Sequence, residues 1–267
     1  MTSSSYPDRD PKRGLGLYLT GLGSQYPLHL WGPDKLEAIA ARFHDTQNPS
    51  IQKLCHINRR TGILARPSVL SLDEGFGTGA TPPSITDLDA LFRFKGVELA
   101  TRACEKALRE WGGNKGDITH SVAVTCTDQG NPGYDLLVGR KLGLSLDVDR
   151  TLLHGVGCAG GLAILRTAAQ IALGATAQGK PARILAFACE LCTPTARGEL
   201  AAVEATPVAD VGPAGALFSD GAAAFVLCNT LGLAPGVVPL LELVAWDSTL
   251  LPDTAEHMSY TPGPYGS

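Results

Sequence analysis

A cysteine framed by glycines is the first place in this sequence where chemistry could occur. The stretch LLHGVGCAGGLAIL, residues 152–165, places Cys158 between Gly157 and Gly160. Gly155, Gly157 and Gly160 spell G-x-G-x-x-G, the pattern of a loop that cradles a dinucleotide pyrophosphate. That fingerprint normally opens its fold near the N-terminus, with an acidic residue about 20 positions later. Here it lies past the middle of the chain, and the nearest candidate acid, Glu190, follows Gly160 by 30 residues. The second reading is a tight strand-to-helix turn that presents a thiol, with glycines on both sides removing bulk. The positive end of the following helix favours thiolate at such a position. The amides of Ala159 and Gly160 would have no partner inside that helix. The third reading makes Cys158 a small packed residue.

Other reactive patterns are weaker. Cys189 and Cys192 form C-x-x-C, but a zinc site needs a second pair and a redox pair belongs at a helix start. These two fall at a strand end, so no metal site is expected. The six histidines are His29, His44, His56, His120, His154 and His257. His154 is nearest the thiol and reads as a packed residue of the strand leading to the turn. The segment IQKLCHINRRTG, residues 51–62, is basic.

The elements that must position Cys158 follow from periodicity and punctuation. GLGLYLTGLGSQYP, from residue 14, reads as a short strand that breaks at glycine. Pro33 and Asp34 open a helix whose apolar face is Leu36, Ile39, Ala40 and Phe43. Residues 76–83 are a loop. Thr86 is read as the cap of a long helix, 87–111, ended by Gly112-Gly113. THSVAVTCT and PARILAFACE are buried strands, and DRTLLHGVG is the strand before the turn. NPGYDLLVGRKLG is a helix started after Pro132. GGLAILRTAAQIALGAT is a helix apolar nearly all round and therefore central. GALFSDGAAAFVLCN and VPLLELVAWDSTL look like a β-pair, and TPVADVGPAGA reads as an internal surface loop. Alternating strands and helices imply a layered α/β domain, and no short repeat is present.

Composition narrows the function classes. With 267 residues the chain can bury a sizeable core, and 44% hydrophobic against 18% charged residues is globular rather than disordered. A net charge of −4 offers no basic nucleic-acid surface. No apolar run reaches the ~20 residues of a membrane span, and MTSSSYPDRDPKRG has no hydrophobic segment of a secretory signal. Seven cysteines, an odd number, suggest free thiols in a reducing compartment, hence a cytoplasmic location.

Four motifs occur in order: VTCTDQGNPGYDLLVGRKLGL (124–144), HGVGCAGGLAILRTAAQIA (154–172), FACELCTPTARG (187–198) and GALFSDGAAAFVL (215–227). Together they resemble the type III polyketide synthases, the chalcone- and stilbene-synthase-like group of the thiolase superfamily. The opening from Gly16 to Ala40 is similar to fungal members. The resemblance implies a thiolase-like layered α-β-α fold, of which this chain is essentially the N-terminal half. It implies a tail at 1–14, a catalytic domain at 15–245 and the start of a C-terminal domain at 246–267.

Carried over residue by residue, the resemblance makes Cys158 the nucleophile that takes an acyl group from coenzyme A and holds the growing chain through malonyl extensions. Phe218 matches a gate between the coenzyme A tunnel and the cavity. Cys126, Thr127 and Asn131 match positions where the cavity meets a dimer partner, and Cys192 and Thr195 match cavity-lining positions. Lys53, Arg59 and Arg60 fall in the helix that pairs with coenzyme A phosphates, although a solvated basic face explains them equally. No cofactor is implied, coenzyme A thioesters being substrates. GFGTG at 75–79 is similar to a loop that belongs near the family's C-terminus, and here is chance.

The family also uses a histidine and an asparagine from its second half, and none of the six histidines lies in that motif. The expectation is a C-terminally truncated chain with an exposed apolar face and impaired extension. Removal of such donors costs ~10²–10³ in rate each. Two alternatives stand beside the synthase: a non-catalytic paralogue that pairs with a full-length relative, and a condensing enzyme of the ketoacyl-carrier-protein synthase III kind. The implied partners are acyl- and malonyl-coenzyme A and a second subunit, with no nucleic acid and no membrane.

Overall fold

The computed structural model describes residues 14–254 and 257–258. Apart from Gly14, the stretch read as a tail lies outside the described residues, as does most of 255–267. Six strands form one sheet in the order β5-β4-β6-β7-β1-β8. Strand β1 is Leu17–Gln25, β4 His120–Val124, β5 Asp149–Leu153, β6 Arg183–Glu190, β7 Gly221–Asn229 and β8 Leu241–Glu242. Strands β4, β5 and β6 are parallel, while β7 is antiparallel to both β6 and β1. A separate two-stranded ribbon pairs β2 (His29–Trp31) with β3 (Arg66–Ser68).

The apolar runs of β4 and β6 are buried on both faces because helices cover both sides. One core joins Ala123, Leu185 and Phe187 to helix α4 (Val97–Trp111) and helix α5 (Tyr134–Leu142). The opposite core joins Val122, Val124, Ile184 and Ala186 to helix α6 (Gly160–Ala177). The alternation along β4 and β6 is the period-2 pleat sorting side chains between two layers. A third core packs helices α1 (Pro33–Phe43), α2 (Pro49–Arg60), α7 (Ala196–Ala205) and the single turn α8 (Ala214–Leu217).

Several expectations change. Strand β1 does not break at glycine; it continues through Gly21 and Gly23 with a register shift between Leu19 and Gly21. The glycines serve packing, because a Cβ on either would run into the α4 carbonyls of Ala107 and Ala103. The long helix is capped by Ser84, not Thr86: Ser84 and Asp87 form a reciprocal capping box at α3 (Ile85–Leu91). One π-helical turn, Phe92–Gly96, joins α3 to α4. The two late segments do not pair with each other, since β1 lies between β7 and β8. The 206–216 stretch is not a plain loop: it contains α8 and buries Val211 and Ala216.

Helix α6 covers the sheet with Gly160, Ala163, Ile164, Ala168, Ala169 and Ala172, and Leu165, Ile171 and Leu173 pack at its margins. Its other side is open, with Leu162 73% exposed, so it is not enclosed as a central helix would be. The turn and helix together, Gly157–Ala177, span 21 residues, with an 18-residue window of mean hydropathy 1.3, which by length and composition alone suffices to cross a membrane. It is not one apolar run, being interrupted by Arg166, Thr167 and Gln170, and here it packs on the sheet.

Candidate active site

Strand β5 is an edge strand that ends at Leu153, so His154 lies outside it and is exposed rather than packed. The chain then reverses through Gly155 (φ 71°) and Gly157 (φ 50°), conformations that side-chain-bearing residues rarely adopt. A 3₁₀ turn, Gly157–Ala159, carries Cys158 and leads directly into α6. Gly160 provides close approach: a Cβ there would meet Val124 Cγ2 at 3.0 Å. Cys158 is exposed. No side chain caps α6, so its first amides have no side-chain partner. The strand–turn–helix arrangement is therefore the one that projects a thiol.

Burial raises the pKa of Cys126, Cys189 and Cys192, the thiols at this end of β4 and β6. Cys126, just beyond β4, has its pKa pushed up to about 12 by burial first, then by the charge and hydrogen bond of Glu190 and by Cys158. Burial raises Cys192 as well, reinforced by Glu190 and Asp220. Cys189 is buried in β6, is raised by burial, and points its Sγ at the Gly96 carbonyl, 3.4 Å away. Its C-x-x-C spacing thus places one sulfur in the core and the other beyond the strand end.

Glu190 organises this end of the sheet. It accepts hydrogen bonds from Thr127 Oγ1 (2.7 Å), Cys126 N (2.9 Å) and Thr125 Oγ1 (3.2 Å), and Cys126 Sγ lies at 3.4 Å. Burial raises its pKa and these bonds oppose the rise. Sequence reasoning weighed Glu190 only as a ribose ligand and missed this role. The available signal was a single acid ending an otherwise apolar buried strand.

A cleft of about 360 Å³ opens beside these groups. Cys126, Thr127 and Thr195 line it, facing Ile85, Leu88 and Phe92. Phe92, Tyr134 and Phe187 stack edge to face at 5.5 Å centroid spacings behind the wall, and the Tyr134 hydroxyl donates to the Val124 carbonyl at 2.8 Å. Asp89 and Asp128 also line the cleft, two acids that the sequence reading did not single out. Asp128 is pushed up to about 6 by burial first, then by the hydrogen bond and charge of Asp89. Asn131, Cys192 and Phe218 are not among the lining residues. Asn131 is exposed. Phe218 follows α8 and is 39% exposed.

The basic residues of α2 are partly committed within the chain. Lys53 Nζ donates to the carbonyls of Val208 (2.6 Å) and Ala209 (3.1 Å). Arg59 forms a two-pronged pair with Glu37 at 2.6 Å on both bonds. Arg60 is exposed. The 75–79 glycine loop turns carbonyls inward, toward Arg42 and Arg197, whereas an anion cradle would present amides.

Residues 44–230 match the family described as chalcone and stilbene synthases, N-terminal domain. The chain is 57% identical over 247 residues to the type III polyketide synthase pspB of Penicillium soppii, covering 92% of this chain and 62% of that protein. It is 46% identical over 222 residues to the acylalkylpyrone synthase csyB of Aspergillus oryzae, covering 83% and 55%. The crystal structure of a fungal type III polyketide synthase, ORAS, superposes with a TM-score of 0.90 at 43% identity, covering 94% of this chain and 65% of that one. CsyB complexed with CoA-SH superposes with a TM-score of 0.89 at 40% identity, covering 94% and 66%. The chain thus spans somewhat more than half the length of these relatives, and its layers are the N-terminal part of their thiolase-like fold. On its sequence match and its architecture together, this chain belongs to the chalcone and stilbene synthase family.

Proposed function

We propose that this chain carries the acyl-loading half of a type III polyketide synthase. Cys158 attacks the thioester of an acyl-coenzyme A, coenzyme A leaves as its thiol, and the acyl group remains on the sulfur as a new thioester. The acyl chain occupies the cleft beside Cys126, Thr127 and Thr195, with Cys192 behind it and Asn131 toward a second subunit. Phe218 gates the passage to coenzyme A, whose phosphates Lys53, Arg59 and Arg60 meet. An exposed pair such as Arg59–Glu37 contributes little stability, so exchanging it for a phosphate costs little. No cofactor takes part. Decarboxylative condensation with malonyl-coenzyme A then gives pyrone- or resorcinol-type products, in a cytoplasmic homodimer or in a pairing with a full-length relative.

The observation that supports this reading best is an exposed thiol at the tip of a glycine-built turn, while burial raises the pKa of Cys126, Cys189 and Cys192. Loading is assigned to this chain. Extension is assigned to this chain together with the further length its relatives carry, because the family's histidine and asparagine lie there. The chain alone should be impaired in extension. The test is incubation with a radiolabelled acyl-coenzyme A and malonyl-coenzyme A. Label retained on the protein and lost in Cys158→Ala supports the reading, and label that persists in the variant ends it.

A further inference from the structure

The segment that carries Phe218 is held by a buried arginine that nothing above uses. Arg66, on β3, is 5% exposed, and its Nη1 donates to the carbonyls of Gly215 (2.9 Å) and Phe218 (3.2 Å). Two residues on, the Asp220 amide donates to the Pro67 carbonyl at 2.9 Å. Phe218 is therefore pinned on both sides to the same three-residue strand. Burying a guanidinium is costly unless its donors and charge are met. Among the described residues Nη2 has no partner, and the acids facing the group are Glu199 and Asp220. Asp220 is already occupied by Val69 N, Thr193 N and Thr193 Oγ1 at 2.6–2.8 Å.

Glu199 remains. It is half-buried on α7, and its Oε2 lies beside Gly215, where a Cβ would stand 3.1 Å away. Its Oε1 is 2.8 Å from Thr195 Oγ1, and Thr195 lines the cleft. Arg66 and Glu199 share no hydrogen bond or ion pair, but both meet Gly215: Arg66 at its carbonyl and Glu199 at its Cα side, so a line of neighbours runs from the Phe218 carbonyl through Arg66, Gly215 and Glu199 to Thr195 on the cleft wall.

We propose that Arg66 is the positioning residue of the Phe218 gate and that Glu199 couples its guanidinium to Thr195, so that the gate and the acyl cleft are set together. This rests on the reading of Phe218 as a gate. The coupling is geometric, and neither Arg66 nor Glu199 touches the reacting atoms.

Two readouts test it on the full chain. In the first, para-fluorophenylalanine replaces Phe218 and its fluorine resonance is followed by NMR. Arg66→Lys keeps the charge but shortens the side chain and loses the planar Nη1 that reaches both carbonyls. Glu199→Gln keeps an acceptor for Thr195 but removes the charge facing Arg66. Both variants, and Thr195→Val, should shift or broaden the line, while the exposed Thr46→Val should leave it. A line unmoved by Glu199→Gln and Thr195→Val overturns the coupling, even if Arg66→Lys does not fold. The second readout compares Cys158 loading from an acyl-coenzyme A with loading from the same acyl group on N-acetylcysteamine, which needs no long tunnel. The ratio should fall about tenfold in Arg66→Lys, the loss of one charged hydrogen bond. An equal loss with both thioesters marks a general structural role and overturns the proposal. Loading from neither thioester in the unaltered chain defeats the synthase reading, and the resonance still decides the coupling.

Discussion

Replacing Asp128 by asparagine should stabilise this protein at neutral pH and do nothing at low pH. Asp128 is 5% exposed, and its carboxyl faces that of Asp89 across the cleft wall. Burial, then the Asp89 hydrogen bond and charge, raise its pKa from 3.8 to about 6, against the opposing Gly130 amide and Arg93. The unfolded chain loses this proton near 3.8, while the folded chain keeps it until about 6. The contribution is thus fully present below pH 4, is lost as pH rises to about 6, and is absent above. A displacement of about two pH units corresponds to ~3 kcal/mol. The cleft is open to water, and screening reduces this to about 1–2 kcal/mol. Asparagine has the same shape, stays neutral, and can donate to Asp89 at every pH. Urea denaturation at pH 4, 5, 6 and 7 should show a gap between Asp128→Asn and the parent that is near zero at pH 4 and reaches ~1–2 kcal/mol at pH 7. Glu190, Glu199 and Asp220 are also raised by burial, but they cancel in this difference. A gap that does not vary with pH, or that widens toward acid, would refute the reasoning.

Further outcomes follow from named contacts. At pH 8 a thiol with a pKa of about 12 is ionised to roughly one part in ten thousand, so peptide mapping after brief iodoacetamide treatment should find Cys158 modified and Cys126 intact. Gly157→Ala places a side chain at φ 50° and should cost about 1–2 kcal/mol in denaturant melts. Gly21→Ala drives a methyl into the Ala107 carbonyl; the displaced α4 should lower the melting temperature far more than the same change at the open Gly174. Arg197→Met removes donors to the Gly79 and Thr81 carbonyls, so hydrogen exchange should rise in residues 76–83 while the sheet stays protected.

Much of this architecture is legible in the residues, because burial on two faces leaves unbroken apolar strands. HSVAV and RILAFACE announce β4 and β6 by that signature, and the glycines around Cys158 announce the turn. What is not legible depends on distant partners. Whether Gly21 ends a strand or admits a helix is decided by α4, some 80 residues away. VPLLELVAWDSTL carries a strand signal, but only assembly of the sheet shows that β1, not β7, is the neighbour of β8. Ser84 and Thr86 are both competent caps, and the reciprocal bond with Asp87 decides between them. His154 looked like a packed strand residue because nothing in the sequence marks β5 as an edge strand that stops one residue earlier. The roles of Glu190 and Asp128 come from long-range convergence, of Thr127 on one acid and Asp89 on the other.

The most direct measurement is the intact mass of the protein, followed by peptide mapping, after incubation with an acyl-coenzyme A. The account predicts one acyl group per chain, on the peptide containing Cys158, released by hydroxylamine and missing from Cys158→Ala. Acylation mapped to Cys126 or Cys192 instead, or a parent chain that stays unmodified, would contradict it.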